Sequence, residues 1–445
     1  MSDLRVVAAA PARRPRRRAR TSRERQLAHL EGLGLAAATL VILFGGWLAY
    51  RQHGPVFEAA AGGLARGDVI DINQADTAAL TRAFAPLPTD AARRTAALAV
   101  ERHRRASGPL SHVGALAGMR DADSAPLFGA ADIAAIKPFA VVRSSAEHAS
   151  RIRWAVLLFL ASFLTVHLVR RAAGATGDPV LLPAVQLLTG LSAIAMLSMR
   201  DPLRDTDAAS SVVYGVAIGC AALAALAFAD FESPRLKRAT VLPLSLAVLL
   251  AALLLTFGSG PGGSGAKVNL FGVQPIEVIR LLAVFALAAY FSRRWELLRE
   301  ISTPAGPSPA LRRRVRLPRL RDVQPLAIIV GTLLVFFVLQ KDLGPALVLG
   351  SMALGLYGVA RARSGLVAAG FALLVLGFAA GYWLGIPGTL ARRVAIWLDP
   401  WHNGLVGGDQ IAHAQWALAS GGAWGLGGGL GDGQLIPAGH TDLIT

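Results

Sequence analysis

The chain of 445 residues is strongly apolar, since 54% of its residues are hydrophobic and only 16% are charged. Its mean hydropathy is +0.49, whereas a soluble protein carries about 25% charged residues, so the composition excludes an ordinary soluble domain. The single cysteine, Cys220, excludes an intrachain disulfide and a metal site built on cysteines. Its apolar surroundings predict a small core residue.

Apolar windows of about 18 residues or more recur along the chain, and each can cross about 30 Å of hydrocarbon. A helix satisfies its own backbone hydrogen bonds in lipid. The predicted fold class is therefore an all-α polytopic membrane protein, with about nine transmembrane helices in this chain and a small α-helical extracytoplasmic domain. The spans are predicted at roughly 32–50, 152–170, 183–199, 211–230, 240–257, 274–292, 325–340, 343–361 and 365–386.

The formal net charge of +17 would suit a nucleic-acid-binding protein, but its distribution points elsewhere. Arginines are concentrated between Arg13 and Arg25, before the first apolar window, and between Arg312 and Arg321, in a loop between two others. Such clusters mark the cytoplasmic side of a membrane. The N-terminus is therefore predicted to be cytoplasmic, with membrane lipids as neighbours and no nucleic acid.

The chain divides into segments of different character. A cleaved signal peptide is the alternative to a first transmembrane span. It is not favoured, because the basic region before the apolar window is long and no small-residue cleavage site follows the window. The predicted segments are a basic disordered cytoplasmic tail at 1–30, an N-terminal transmembrane helix at 31–51, an extracytoplasmic domain at 55–145, a transmembrane core at 150–386 and an extracytoplasmic glycine-rich substrate loop at 387–445.

The extracytoplasmic domain begins with VIDINQADT at residues 69–77, followed by short helical stretches. This pattern resembles the helix-hairpin-helix domain of competence-type DNA-binding proteins, and Asn73 or Asp76 is expected to cap its first helix. The resemblance implies a glycine hairpin that offers N–H groups to phosphate, but here the turn reads FAPLPTDAARR and lacks both glycines. Packing or partner contact is favoured over DNA binding, although several arginines could still meet an anion: Arg93, Arg94, Arg102, Arg104 and Arg105.

The stretch FGVQPIEVIR places Gln274, Glu277 and Arg280 within a predicted span. Charged residues in a span are costly and usually functional. Glu277 and Arg280 are three apart and share one helical face, so they can neutralise each other. Two interpretations stay open, an ion pair that orients helices and one wall of a polar cavity.

The stretch LQKDLGPALVLG carries Gln340, Lys341 and Asp342 next to a helix-breaking Gly344 and Pro345. Broken helices leave backbone groups that a polar cavity satisfies. A plain turn with a solvated Lys–Asp pair has the same pattern.

The stretch DPWHNGLVGGDQIAHAQWALASGG and its continuation to residue 445 combine glycines with acids and histidines. Glycine permits close backbone approach and positive φ, which suits a binding loop but is a weak signal alone. The cluster of Asp399, Asp409, His440 and Asp442 strengthens it.

These three stretches, in this order, resemble the SEDS family of membrane glycosyltransferases (FtsW, RodA and SpoVE). The resemblance covers roughly residues 150–445 and implies a bacterial inner-membrane protein that polymerises lipid II into glycan strands for elongation, division or sporulation. It also implies a class B penicillin-binding protein as partner. No cofactor is implied with certainty, but a divalent cation or basic side chains would offset the charge of a pyrophosphate leaving group. The substrate-binding residues so implied are Gln274, Glu277, Arg280, Gln340, Asp342, Arg393, Asn403, Gln410, His440 and Asp442.

The chain departs from the family pattern at the expected catalytic base. The resemblance implies a second aspartate in a DPWxDP motif, but this chain has Asn403 followed by Gly404, and an amide cannot accept the proton at neutral pH. Asp409, six residues on, is one candidate base. Asp399 is another, although its position also suits a turn or capping residue.

The ending at Thr445 also departs from the family, which continues with further spans, so the chain is expected to be a fragment. Two alternatives to the enzyme remain. Asn403 favours a catalytically weakened lipid II-binding scaffold or transporter, and the domain at 55–145 motivates a DNA-uptake membrane protein.

Overall fold

The structure, a computed structural model, describes much of the chain from residue 22 to residue 436, and the predicted tail before residue 22 lies outside the described residues. Within that range it does not describe residues 122–123, 175–177, 231–232, 235–239, 261–266, 271–273, 301–302, 305–315, 318–319, 341–342, 362–364, 387, 403–407, 428–429 and 432–435.

The chain folds into two compact units, one formed by residues 1–229 and 412–445 and the other by residues 230–411. The helices that lie in the first are α1 (Ser22–Gln52), α2 (Gly54–Arg66), α3 (Thr77–Ala83), α4 (Asp90–Ser107), α5 (Ala130–Ile136), α6 (Ser145–Ala173), α7 (Leu181–Ser198) and α8 (Ala208–Leu226). Those of the second are α9 (Val241–Phe257), α10 (Ile276–Glu300), α11 (Leu320–Leu339), α12 (Leu343–Arg361), α13 (Gly365–Leu384) and α14 (Gly388–Leu398), and α15 (Gly408–Gly421) crosses the boundary.

Each predicted span coincides with a helix, which confirms the all-α polytopic fold. Among the residues that the structure describes, five helical segments are long and apolar enough to cross a membrane: Ser22–Arg66, Ser145–Ala173, Leu181–Ser198, Ala208–Leu226 and Val367–Leu384. Large side chains point outward from them, with Leu40 70%, Ile218 73% and Leu373 70% exposed. Apolar surface on this scale suits contact with lipid.

Helix α1 begins at Ser22, so the prediction of a disordered tail as far as residue 30 is wrong for residues 22–30. The sequence SRERQLAHL consists mostly of good helix formers. Glu24 lies in the first turn, where the helix macrodipole favours an acid. The helix therefore extends beyond the apolar window by more than two turns.

Helices α1 and α7 approach each other closely at glycines. A Cβ atom on Gly190 of α7 would lie 2.3 Å from Cδ1 of Ile42, and one on Gly34 of α1 would lie 2.7 Å from Cγ of Pro183. Small residues of this kind allow helix backbones to pack tightly in lipid. Gln186, which is 2% exposed, adds a hydrogen bond of 3.0 Å from its Nε2 to the Thr39 hydroxyl.

The extracytoplasmic domain predicted at 55–145 has its own small core. Strands β1 (Ile70–Asp71) and β2 (Ala140–Val141) pair in parallel, and Leu80, Phe84 and Val100 are fully buried. We call residues 69–143 the insert. Because the insert has its own compact apolar core, its sequence resembles that of a soluble domain although it lies between two predicted spans.

The predicted cap of the first insert helix is confirmed for Asp76. Its Oδ1 accepts the backbone N–H of Ala79 at 2.7 Å. Asn73, the other candidate, instead ties three segments together: its Nδ2 donates to the carbonyl oxygens of Leu110 at 2.9 Å and Val142 at 2.6 Å. Both residues therefore stabilise the insert.

Two buried or half-buried arginines fix the insert to the loop between α7 and α8. Arg143 donates to the Pro202 carbonyl at 2.9 Å, and burial lowers the pKa of this guanidinium. Arg204, from the loop itself, donates through Nε to the carbonyls of Lys137 at 2.8 Å and Ala140 at 3.1 Å. The insert is thus attached to the helical bundle by polar contacts as well as by its two chain connections.

The second unit has an apolar core formed by α9, α10, α11 and α12. Leu254, Ile279, Leu287 and Leu333 are fully buried in it. A short antiparallel pair, β3 (Thr303–Pro304) with β4 (Arg316–Leu317), follows α10.

The segment 387–445, predicted as a loop, contains helices α14 and α15. The prediction overlooked the amphipathic spacing in GTLARRVAIWL, in which Leu390 and Ile396 are buried while Arg392 and Arg393 are exposed. Leu390, Val394 and Trp397 recur at the i, i+4 and i+7 spacing of an amphipathic helix. The glycine content hid this pattern.

Candidate functional site

Helix α10 begins with the predicted ion pair. Arg280 Nη1 lies 2.6 Å from Glu277 Oε1, and the Glu277 side chain is 67% exposed while that of Arg280 is 34% exposed. The Arg280 Nε is buried and has no hydrogen-bond partner in the described part of the chain. The ion pair is therefore formed, as the spacing predicted, and the Arg280 Nε–H remains available to donate to a further acceptor.

Gln274 lies directly before this helix and is exposed. The next residue, Pro275, is buried and its carbonyl accepts the N–H of Ile279 at 3.0 Å. Proline suits this position because the first N–H groups of a helix have no partner within it. The motif therefore starts α10 and presents Gln274 beside Glu277.

Gln340 is fully buried at the end of α11. Its Nε2 donates to the Ala251 carbonyl of α9 at 3.0 Å, and its backbone carbonyl accepts from Lys267 at 3.1 Å. Its Oε1 is buried without a partner among the described residues. These contacts assign Gln340 a positioning role between α9 and α11.

Asp399 follows α14 and organises a turn. Its Oδ1 accepts the backbone N–H of His402 at 3.1 Å, and His402 Nδ1 lies 3.3 Å away. Both side chains are exposed, Asp399 by 54% and His402 by 86%. His402 was not among the residues predicted from the sequence, although a histidine three residues after an aspartate in a turn is a recognisable signal.

Asp409 lies in the first turn of α15 and is exposed, and Gln410 beside it is half-buried. Arg393 is exposed on α14. Four predicted residues lie outside the described part of the chain: Asp342, Asn403, His440 and Asp442. Two side-chain contacts are therefore present among the described candidate residues. Glu277 pairs with Arg280, as predicted, and Asp399 contacts His402, which had not been predicted.

The insert commits several of its arginines to its own fold. Arg104 donates to the Ile72 and Ala75 carbonyls, each at 2.8 Å, and Arg93 donates to the Leu87 carbonyl at 3.0 Å. Arg105 pairs with Glu101, whose pKa is lowered by a hydrogen bond from Thr77 and by Arg105. The exposed arginines that remain on α4 are Arg94 and Arg102.

Within the residues that the structure describes, no group of three or more His, Cys, Asp or Glu side chains has the arrangement of a metal site. Cys220, as predicted, is a free and buried thiol.

Comparison with known proteins adds independent information. The sequence profile of FtsW/RodA/SpoVE cell cycle proteins matches residues 179–445, which is more than half of the chain. A peptidoglycan glycosyltransferase RodA from Mycobacterium leprae is 29% identical over 72% of this chain and 68% of its own length. The RodA protein of Mycobacterium tuberculosis strain H37Rv is 31% identical over 65% of this chain and 62% of its own length.

A probable peptidoglycan glycosyltransferase FtsW from Geobacter metallireducens is 27% identical over 52% of this chain and 57% of its own length. The chain therefore spans only part of the length of the curated relatives it matches. No solved structure matches it significantly.

Proposed function

Because the chain belongs to the FtsW/RodA/SpoVE family, we propose that it is a peptidoglycan glycosyltransferase that polymerises lipid II. The observation that carries this proposal is the order of polar motifs within the matched region. The Gln274–Glu277–Arg280 motif, the Gln340 motif and the Asp399 motif all lie between residues 179 and 445. The names of the RodA and FtsW relatives support the same activity.

The proposed reaction is an inverting glycosyl transfer. The 4-hydroxyl oxygen of one sugar forms a bond to the anomeric carbon of another, and the bond from that carbon to the pyrophosphate oxygen breaks. The hydroxyl proton passes to a carboxylate, and undecaprenyl pyrophosphate leaves with the electron pair. A positioned carboxylate contributes about 10²–10⁴-fold to such a step.

Asp409 is the better candidate for that carboxylate. It is exposed in the first turn of α15, six residues after the family's expected position for the base, and Asp399 holds the turn after α14. Asn403, at the family's expected position, has an amide that cannot act as the base. We therefore assign proton acceptance to Asp409 and turn formation to Asp399.

Basic groups are needed where negative charge develops on the leaving pyrophosphate. Arg280 keeps its buried Nε donor beside the ion pair with Glu277. Arg393 is exposed on α14, six residues before Asp399. These two guanidiniums are the proposed charge-stabilising groups, and a divalent cation would assist them in the same way.

The proposed setting is the bacterial cytoplasmic membrane with the N-terminus inside, which places the insert and residues 387–445 outside. This orientation rests on the basic clusters before residue 26 and between residues 312 and 321. A class B penicillin-binding protein is the proposed partner. Apart from the corrections above, we keep the predicted roles of the five segments: the cytoplasmic tail at 1–30, the transmembrane helix at 31–51, the extracytoplasmic domain at 55–145, the transmembrane core at 150–386 and the substrate segment at 387–445.

The test is glycan-strand formation from labelled lipid II by the purified full-length protein. We expect Asp409→Asn to lower the rate about 100-fold or more, as loss of a general base does, and Asn403→Asp to raise it. Asp68→Asn is the matched control, because Asp68 is exposed and pairs only with Arg66 in the contacts described. Equal rates for Asp409→Asn and Asp68→Asn would refute the assignment of the base.

Asn403 favours a second candidate, a lipid II-binding scaffold or transporter. In that case the wild-type protein binds labelled lipid II but forms no polymer, and Asn403→Asp leaves it inactive. Binding and polymerisation measured on the same sample separate the two functions.

A further inference from the structure

An apolar groove runs between α1 and α6 in the half of the first unit nearest the insert. Its volume is about 510 Å³. Its floor comes from α7 and α8. We call it the α1–α6 groove, and its walls include Ile42, Gly46, Trp47, Ile152, Arg153 and Val156.

The groove lies between two contacts that α1 makes with α6. Near the insert, the ring centroids of Tyr50 and His148 are 6.2 Å apart. At their other ends they meet, where His167 Nδ1 lies 2.8 Å from Glu31 Oε1 and Arg170 Nη1 lies 3.2 Å from Glu31 Oε2. Gly190 meanwhile holds α1 close against α7. The space between α1 and α6 is therefore bounded at both ends by contacts between the two helices.

Basic and aromatic side chains line or border the groove. Arg153 lines it, and no carboxylate partner for Arg153 is found among the described residues. Arg151, by contrast, pairs with Glu147 at 2.6 Å. Arg51 lies 4.9 Å above the ring of Trp47, a groove residue that is 50% exposed. Tryptophan and arginine together at the end of a span are typical of the headgroup level of a membrane.

We propose that the α1–α6 groove binds an acyl chain of an anionic phospholipid whose phosphate contacts Arg153. The volume lies within the range of about 300–1,000 Å³ found for small-molecule sites. A single acyl chain with a negative headgroup therefore fits both the volume and the charge.

This site is separate from the proposed glycosyl transfer. None of the residues that line the groove is assigned a part in that reaction, and the assigned residues all lie at or after residue 274. A result against phospholipid binding would therefore leave the proposed glycosyl transfer unaffected. Failure of the proposed glycosyl transfer would likewise leave the phospholipid site unaffected.

The test uses full-length protein in phosphatidylcholine nanodiscs and phosphatidylglycerol with a photoreactive group on one acyl chain. Crosslinks are mapped by mass spectrometry. We expect labelling of residues 42–50 and 146–160. Gly46→Leu should reduce it several-fold, because no atom lies within 4 Å of a Cβ at Gly46 and the new side chain would occupy the groove. Gly215→Leu on α8, which also has no atom within 4 Å and lies outside the groove lining, should leave it unchanged.

Headgroup recognition is tested with the same photoreactive chain on phosphatidylcholine. We expect Arg153→Gln to reduce the preference for phosphatidylglycerol about fivefold, the effect of one basic residue near an anionic surface. Arg171→Gln, at the opposite end of α6, should preserve that preference.

Equal labelling of the Gly46→Leu and Gly215→Leu variants would overturn the proposal, as would an absence of headgroup preference in the wild type. Displacement of the label by lipid II but not by unlabelled phosphatidylglycerol would also overturn it. Size-exclusion chromatography checks folding. Ala149→Leu, which fills the groove from α6, provides the same test should Gly46→Leu misfold.

Discussion

Glu31, His167 and Arg170 form a charged cluster between α1 and α6, in which Glu31 is 7% and His167 6% exposed. Glu31 accepts from both partners at 2.8 and 3.2 Å. Removing one member of a buried ion pair leaves the other charge uncompensated and costs about 3–5 kcal/mol. We expect Glu31→Gln to lower the free energy of unfolding towards the lower end of that range, because an amide oxygen can still accept a hydrogen bond.

The measurement for Glu31→Gln is thermal stability by size-exclusion chromatography of heated, detergent-solubilised protein. Glu58→Gln is the matched control, because Glu58 is exposed on α2. If the two variants melt together, the cluster does not hold α1 in place.

We expect the stability of the insert to depend on pH through Asp71, which lies in β1. Burial raises the pKa of Asp71 above its ordinary 3.8, against weaker opposing hydrogen bonds from the Asn73 and Gln74 N–H groups. The folded protein thus binds this proton more tightly than the unfolded chain. The contribution of this proton to the free energy of unfolding is present below the ordinary pKa of Asp71. It is lost as pH rises through the raised pKa of Asp71 in the folded protein.

We therefore expect Asp71→Asn to be more stable than the wild type at pH 7, because it removes a half-buried charge and keeps an acceptor for Asn73, 2.9 Å away. The difference should shrink as pH approaches 3.8, the ordinary value. Melting curves across pH, with the exposed Asp68→Asn as control, provide the measurement. A destabilised Asp71→Asn variant at pH 7 would contradict this account.

At the scale of elements, Arg204 should control how firmly the insert is attached. Its guanidinium contacts the carbonyls of Lys137, Pro138 and Ala140 and the carboxylate of Asp201. Arg204→Met leaves these acceptors without their donor, and each lost hydrogen bond of this kind costs about 1–3 kcal/mol. We expect faster proteolytic cleavage between the insert and the bundle.

Arg200→Met is the matched control, because Arg200 lies in the same loop and is half-buried. Mass-spectrometric mapping of limited proteolysis on the full-length protein would compare the two variants. Identical cleavage patterns would show that the insert is held by its chain connections and apolar core alone.

The sequence predicted helices better than contacts between helices, for a physical reason. An apolar window of about 18 residues specifies a span regardless of what surrounds it, and the i,i+3 spacing brought Glu277 to Arg280. The contact of Gly190 with Ile42 and the groove between α1 and α6 depend on tertiary packing, which no local pattern encodes. Helix α14 was missed because it is short and lies among glycines and polar residues.

The same reason separates the predicted roles of single residues. Asp76 caps α3 through its own neighbours, so a local rule found it. Asn73 joins Leu110 and Val142, far away in the chain, and Gln340 reaches Ala251. Long-range hydrogen bonds of this kind become visible only in the folded structure.

At the scale of the whole molecule, the proposed activity requires that the insert and residues 387–445 face outward, where lipid-linked sugars are polymerised. One position in the insert and one at the far end of α6 test this orientation. Ser107→Cys lies in the insert, and Ala172→Cys lies at the far end of α6; both positions are exposed. Cys220→Ala removes the native thiol, which is buried.

In intact bacterial cells, a membrane-impermeant maleimide should modify Ser107→Cys and spare Ala172→Cys until the membrane is permeabilised. The reason is that basic residues accumulate on the cytoplasmic side, and Arg170 and Arg171 precede Ala172 in the last turn of α6. The reverse pattern would place the insert in the cytoplasm. Asp409 would then lie on the wrong side of the membrane for polymerising exported lipid II, and the proposed function would fail with the orientation.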